Sequence, residues 1–194
     1  MEQSDHKEIS KIDRIRQAAL IVMSANGISR TSVSSIAKHA GVSDGYLYRH
    51  YKGKEELIDD LLTEIFNKVN DKIAFLLNNC NTIDGIVNNF INFICIKAKE
   101  EPEKIKFLIM LLNDFSYKIS KNLTDRLMAL CEEILKQARS SRSIRTDVTP
   151  LELYIALVGI PLQYYSIHFR SMFGMNDVNE MVKIIIKQSL LTIK

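Results

Sequence analysis

The chain contains few of the residues that interrupt helices. Its 194 residues include only three prolines and seven glycines, a composition that favours long helices. No uninterrupted apolar run reaches the ~18 residues that a membrane span needs, and the first residues lack the apolar segment of a signal peptide. No strand pattern of any length is present. These absences predict an all-α protein of the cytoplasm without a membrane-spanning segment.

Cysteine is also scarce, and its spacing gives no support for a metal site. Cys80, Cys95 and Cys131 are odd in number and form no C-x-x-C pair, while the four histidines are scattered. This pattern predicts buried free thiols in a reducing compartment, and no metal or other cofactor. The sequence also has no nucleophile–base arrangement and no phosphate-binding loop, so it does not indicate an enzyme.

Positive charge is concentrated at the N-terminal end of a chain whose net charge is only +3. Residues 1–54 contain nine Lys and Arg against five Asp and Glu, whereas residues 55–194 contain seventeen against eighteen. A basic excess confined to one segment is what binding to DNA phosphates requires. Alone it is weak evidence, but it falls on the segment with the most informative pattern.

Residues 31–54 carry the signals of two short helices joined by a glycine turn. Ser32 is a good N-cap, Gly41 follows the last apolar position of the first helix, and Ser43 is placed to cap the second through the amide of Tyr46 or its neighbour. Two helices, a short turn with glycine and a polar outer face predict a helix-turn-helix. A generic helical hairpin is the alternative.

This segment resembles the TetR family of one-component bacterial regulators. The similarity covers residues 11–60 without a gap, and the remaining residues fit the family only by length, helicity and layout. The positions in register with the family pattern are Thr31, Ser32, Val33, Ile36, Ala37, Ala40, Gly41, Val42, Ser43, Gly45, Leu47, Tyr48, His50, Tyr51, Lys54, Glu55 and Leu57. The resemblance implies sequence-specific binding to double-stranded operator DNA.

The expected DNA-binding residues lie on or beside the two short helices. They are Ser32, Ser34, Ser43, Asp44, Gly45, Tyr46, Tyr48, His50, Lys52 and Lys54. Asp44 either accepts from a cytosine amine or only stabilises the helix start. Tyr46 replaces the small residue common in the family, so the operator preference does not transfer. Lys54 opposes the dipole of the helix it begins, and the resemblance implies a phosphate contact. For each single residue, solvated surface is the alternative.

Helical periodicity predicts about nine helices in two domains. Residues 1–54 form a three-helix DNA-binding domain, and residues 55–194 form a helical domain for effector binding and dimerisation. The predicted helices cover residues 10–25, 32–39, 43–49, 54 to the mid-70s, 83–99, 102–114, 121–140, 150–171 and 177–193.

Two of these helices are too apolar for one neighbour. The segment 153–162 is apolar on every side but too short to span a membrane. The last helix has a broad apolar stripe. We expect a four-helix contact between two copies of this pair, as in the family, with the core of a monomer as the alternative. The candidate interface residues are Leu157, Ile160, Val182, Ile185, Ile186 and Leu190.

The central helices carry a set of large apolar and aromatic side chains. In the family such residues form an effector cavity, although at helical spacing they are also ordinary core. The candidates are Phe90, Phe93, Phe107, Met110, Leu111, Phe115, Tyr117, Tyr154 and Tyr164. Pro161 is expected to kink its helix. With the resemblance, these features imply a regulator controlled by a small, largely apolar ligand. We expect a repressor that the ligand releases, although the chain leaves repressor and activator both open. The alternative is a DNA-binding protein that senses no small molecule.

Overall fold

The computed structural model describes residues 10–172 and 177–194, and within these ranges it contains helices and no strand. We number nine helices, of which α8 has three consecutive segments. They are α1 Lys11–Asn26, α2 Val33–Ala40, α3 Asp44–His50, α4 Lys54–Asn79, α5 Ile83–Glu100, α6 Pro102–Asn113, α7 Lys121–Ser140, α8 Pro150–Tyr154, Ile155–Gly159 and Ile160–Phe169, and α9 Val178–Ile193. The predicted all-α fold is confirmed.

Local capping chemistry explains where the short helices begin and end. The Ser32 side chain accepts from the amide of Ser35, whose hydroxyl accepts in turn from the amide of Ser32. Gly41 ends α2 in the left-handed conformation, at φ 65° and ψ 40°, which glycine adopts without strain. Ser43 caps α3 by accepting from the amide of Tyr46 at 3.2 Å. All three predicted caps are confirmed.

The apolar side chains form two core clusters. The N-terminal core joins α1–α3 to the first turns of α4, and it also takes in Phe107 and Leu111 of α6. The C-terminal core is built from the rest of α4 and from α5 to α9. Thus α4 crosses the predicted boundary at residue 54, and its first apolar residues, Leu57, Ile58 and Leu61, pack with the DNA-binding helices. The boundary stays a prediction.

Helix α8 accommodates a proline by widening one turn. Residues Ile155–Gly159 are π-helical, and the amide of Ile160 bonds the carbonyl of Ile155, five residues earlier. Pro161 follows immediately; it has no amide hydrogen, and its ring would crowd the carbonyl of Leu157 in a regular helix. The sequence predicts a kink at this place, and the structure has a π-helical turn there, which is one of the known causes of a kink. The kink itself stays a prediction.

The three cysteines are free thiols, as expected. Cys95 and Cys131 are buried in the C-terminal core, and Cys80 is half-buried after α4. Burial raises the pKa of the Cys131 thiol to about 11, and the nearby Glu132 carboxylate adds to this effect. Buried thiols of this kind are chemically inert in the folded protein.

Candidate nucleic-acid interface

The predicted DNA-binding residues form one exposed surface across α2, α3 and the start of α4. Eight of the ten side chains are exposed, and the other two, Tyr46 and Lys54, are half-buried. Underneath them, Ile36 and Leu47 are fully buried and fix α2 and α3 against α1. The surface is therefore polar and accessible outside and rigidly supported from within.

Gly45 leaves an open place at the start of α3. A Cβ atom built at Gly45 would meet nothing within 4 Å, so packing in the chain itself does not require glycine there. The same open space allows another molecule to approach the backbone closely. The nearby Tyr48 side chain is 54% exposed, a large value for an aromatic residue on a short helix.

Cationic side chains gather around the ring of Tyr46. The Lys11 ammonium lies 5.3 Å and the Arg49 guanidinium 5.2 Å from the ring centroid, both within the range of cation–π attraction. The His50 ring is 4.8 Å away, centroid to centroid. Sequence reasoning missed Lys11 and Arg49. The spacing of Arg49, three residues after Tyr46 on one helix, was the available signal.

Asp44 is engaged with α2. Its carboxylate accepts a hydrogen bond from the Ser34 hydroxyl, so two predicted DNA-binding residues pair across the helix-turn-helix. Asp44 also lies in the first turn of α3, where the helix dipole favours negative charge. The structure thus gives Asp44 a positioning contact in addition to the two roles that the sequence left open.

Lys54 binds backbone carbonyls of the segment before α2. Its ammonium donates to the carbonyl oxygen of Ile28 at 2.8 Å and to that of Thr31 at 3.4 Å. These bonds explain a cation at the start of α4, which the sequence indicated as functional. Two of the three ammonium hydrogens are used in this way, and the phosphate contact of Lys54 stays a prediction.

A carboxylate on α4 links the end of α3 to α1. Asp60 accepts two hydrogen bonds from the Arg16 guanidinium, at 2.8 and 3.0 Å, and one at 2.7 Å from the hydroxyl of Tyr51, the residue that ends α3. Burial alone would raise the pKa of Asp60, but the hydrogen bonds from Arg16 and Tyr51 outweigh it and lower this pKa. The sequence gave no signal for this network, because its members lie up to 44 residues apart.

The nine predicted ligand-binding residues do not share one cavity. Phe107, Met110, Leu111 and Tyr117 pack on the N-terminal core, and the Tyr117 hydroxyl donates to Asp59 at 2.7 Å. Phe115 is 96% exposed. Only Phe90 and Phe93 line an apolar cavity, while Tyr154 and Tyr164 are half-buried at the edge of the C-terminal core. Helical spacing did not distinguish these locations.

The cavity beside Phe90 and Phe93 has a volume of about 90 Å³. An apolar core cavity of roughly 150 Å³ suffices for a benzene-sized guest, so this one is of the size of a small group. Its rim carries four charged side chains, whereas its body is apolar. The body includes Ile65, Val69, Phe90, Phe93, Leu108 and Leu162, and the rim consists of Lys68, Lys97, Glu101 and Lys104.

The predicted dimer residues divide by burial. Leu157 and Ile185 lie in the chain's own core, 3% and 0% exposed, so another molecule does not reach them. Ile160, Val182, Ile186 and Leu190 pack at the edge of that core and are partly exposed. Their neighbours Leu151, Ile155 and Leu191 are 61%, 41% and 65% exposed, which leaves apolar surface on both α8 and α9.

Two further features are absent from residues 10–172 and 177–194. Within them there is no group of three or more His, Cys, Asp or Glu side chains that could hold a metal ion. None of the helices in the same part of the chain is both long and apolar enough to cross a membrane.

An all-α chain with a capped helix-turn-helix and an exposed, cation-flanked second helix belongs to the class of helix-turn-helix regulators. The family model described as "Bacterial regulatory proteins, tetR family" matches residues 15–61. The fatty acid metabolism regulator protein of Bacillus subtilis (strain 168) is 43% identical over 54 residues, 28% of either chain. Residues 15–61 thus match the DNA-binding segment of the TetR family, and the chain spans only 28% of the length of this relative.

Matches that cover more of the chain have lower sequence identity. The nucleoid occlusion factor SlmA of Vibrio cholerae is 27% identical over 155 residues, 72% of either chain. The solved structure of the fatty acid degradation regulator FadR from Bacillus halodurans has a TM-score of 0.73 at 20% identity, and the match covers 98% of this chain and 97% of that one. This structural likeness shows that the fold extends over both cores.

Proposed function

We propose that this chain is a cytoplasmic repressor that binds operator DNA as a homodimer and is released by a small, largely apolar ligand. The observation that carries the DNA-binding part is the exposed N-terminal end of α3, where Ser43, Gly45 and Tyr48 are accessible above the buried Leu47. In helix-turn-helix proteins this end of the second helix contacts base edges in the major groove.

Charge around α3 supports the same proposal. Lys11, Arg49 and Lys52 surround the exposed face, and each can neutralise a phosphate on either side of the groove. Two copies paired through α8 and α9 would present two α3 helices to half-sites ~34–36 Å apart. The exposed apolar side chains Leu151, Ile155 and Leu191 support that pairing, because a monomer would leave them in water.

The cavity supports ligand control. Its walls come from α4, α5, α6 and α8, and α4 and α6 also contribute to the N-terminal core. A ligand that favours one arrangement of these walls therefore changes the position of the DNA-binding helices, and its differential affinity is the source of release. Two of the similar proteins are regulators of fatty acid metabolism or degradation, which fits an apolar effector.

The test is operator binding by Tyr48→Ala. We expect the variant to lose operator binding and to keep the wild-type oligomeric state, because Tyr48 is exposed and supports no packing. Phe75→Ala is the matched control, since Phe75 is similarly exposed at 57% but lies on α4 beyond the N-terminal core. Footprinting on operator DNA at increasing salt concentrations gives both the operator affinity and its dependence on salt. Wild-type affinity and salt slope in Tyr48→Ala would contradict the assignment.

A second candidate function is DNA binding without a small-molecule effector. The match to a nucleoid occlusion factor, which extends over 72% of this chain, favours it. Mass spectrometry of the purified protein distinguishes the two functions. A co-purified small molecule that lowers operator affinity supports the repressor. If no small molecule extracted from the protein changes its operator affinity, the second candidate is supported.

A further inference from the structure

The single residue between α5 and α6 holds an ionic cluster at the mouth of the cavity. Glu101 ends α5 and precedes Pro102, yet its side chain caps neither helix. It reaches instead to three lysines of the cavity rim. The Glu101 carboxylate pairs with Lys97 at 3.1 Å, with Lys68 at 3.6 Å and with Lys104 at still closer range.

The cluster joins three helices. Lys68 and Glu64 come from α4, Lys97 from α5 and Lys104 from α6. Glu64 completes it by pairing with Lys104 at 2.8 Å and with Lys68 at 3.2 Å. The Glu101 and Lys104 side chains are only 27% and 20% exposed, so water screens their attraction less than it screens surface pairs.

This arrangement places one carboxylate, bound by three ammonium groups, on residues that also line an apolar cavity. We propose that the effector is an aliphatic carboxylate whose head group replaces Glu101 among Lys68, Lys97 and Lys104 while its chain fills the cavity. This inference rests on the proposed function and names the chemical class of its ligand. A carboxylate that displaces Glu101 keeps the charge balance of the cluster, whereas a cation would face three ammonium groups.

Displacement of Glu101 explains how a ligand would reach the DNA-binding helices. Glu101 holds the start of α6 to α4 through Lys68, and α6 carries Phe107 and Leu111 into the N-terminal core. Once Glu101 leaves the cluster, its link from the start of α6 to Lys68 is lost, a carboxylate on the ligand holds the lysines instead, and Glu64–Lys104 remains as the direct pair between α4 and α6. With one of the two links removed, the bound chain shifts the arrangement of the two cores toward the one it favours.

The test uses the full chain and straight-chain saturated carboxylates of increasing length, each compared with the primary alcohol of equal length. Isothermal titration gives the affinities. We expect carboxylates to bind roughly ten-fold tighter than the alcohols, about the effect of one partly buried ion pair. Glu101→Gln removes the internal competitor and tightens carboxylate binding by about the same factor without changing alcohol binding. Lys68→Met weakens carboxylate binding only.

Glu100→Gln is the matched control, because Glu100 is the exposed neighbour that pairs with Lys97 alone, at 2.8 Å. It should bind carboxylates as the wild type does. Equal affinity for acids and alcohols, or unchanged carboxylate affinity in Glu101→Gln, overturns the inference. If no carboxylate binds while operator binding is intact, the ligand class is wrong and the regulator stands. If carboxylates bind but the chain binds no DNA, the proposed function fails.

Discussion

At the scale of single residues, a substitution of Gly45 should affect stability and DNA binding in opposite directions. Gly45 has a helical backbone, and a Cβ atom there meets nothing within 4 Å. Gly45→Ala should therefore raise the free energy of unfolding by up to ~1 kcal/mol, because glycine is the weaker helix former. The same methyl group would stand between α3 and the base edges and lower operator affinity.

Chemical denaturation and operator titration of Gly45→Ala measure the two effects on one sample. Gly41→Ala is the informative comparison, since its φ of 65° makes any side chain unfavourable and the variant should lose about 1 kcal/mol. A Gly45→Ala protein that binds its operator as tightly as the wild type would show that DNA does not approach this position.

Ser189 is a polar residue in a fully apolar place. Its side chain is 0% exposed, and its hydroxyl has no hydrogen-bond partner among the described residues. Ser189→Ala should raise the free energy of unfolding by about 1 kcal/mol, because it removes an unsatisfied buried group and improves helix propensity. Thermal unfolding measures the change. A clear loss of stability would reveal a partner for this hydroxyl.

Residues whose role is local could be predicted from the sequence, and those whose role is tertiary could not. Ser32, Gly41 and Ser43 were assignable because a cap depends on neighbours three or four residues away. The carbonyl contacts of Lys54 could not be predicted, because the groups that it binds lie more than 20 residues earlier. Only the folded chain brings Arg16, Tyr51 and Asp60 together.

At the scale of elements, Asp60 fixes α4 against α1 and α3. Asp60→Asn should lower the free energy of unfolding by about 1–3 kcal/mol, since it leaves the Arg16 guanidinium with only the more distant and more exposed carboxylate of Asp13, at 3.4 Å. The pKa of Asp60 is lower in the folded chain than its usual 3.8. Its stabilising effect is therefore full above about pH 4 and disappears as the pH falls through the folded pKa.

Urea unfolding of the wild type and Asp60→Asn at several pH values measures this dependence. The difference between the two proteins should be largest near neutral pH and should shrink on acidification. Asp125→Asn is the control, because the Asp125–Lys121 pair is an exposed ion pair, with side chains 60% and 88% accessible, and contributes little. A pH-independent difference would show that Asp60 acts through packing rather than charge.

Except at the end of α4, which lies at Asn79 and not in the mid-70s, helix boundaries were predictable to within about two residues, because apolar periodicity and capping depend on residues that are close in sequence. The internal geometry of α8 was not. Pro161 predicts that the regular α-helical hydrogen bonding is interrupted near Leu157. A simple kink and a π-helical turn are both possible forms of this interruption. The packing of neighbouring helices decides between them, and packing depends on the whole fold.

At the scale of the whole molecule, the rate at which the buried thiols react measures how often the folded chain opens. Burial raises the pKa of Cys95 and brings that of Cys131 to about 11, so neither thiol ionises appreciably near neutral pH. We expect a thiol reagent to modify one cysteine per folded chain rapidly, the half-buried Cys80, and the other two at a rate that rises with denaturant. Rapid reaction of all three would indicate a loosely packed C-terminal core.

The division of the molecule was only partly predictable. Charge and the helix-turn-helix pattern located the DNA-binding end, but nine aromatic and apolar residues that looked equivalent by spacing fell into different places. Phe107 and Phe90 are both fully buried, yet in different cores. Helical spacing shows which face of a helix is apolar, and only the assembled fold shows which neighbour covers it.

Because α4 is long, a small rotation at one of its ends produces a large displacement at the other. Its 26 residues extend over ~39 Å at ~1.5 Å per residue. Ile73 and Leu76 are held in one core, and Leu57 and Leu61 in the other. A rotation of only about 5° around the distant end displaces the near end by ~3 Å, close to the ~3.4 Å between successive base pairs. A small rotation of α4 in the C-terminal core would thus move the helix-turn-helix by about the spacing of one base pair.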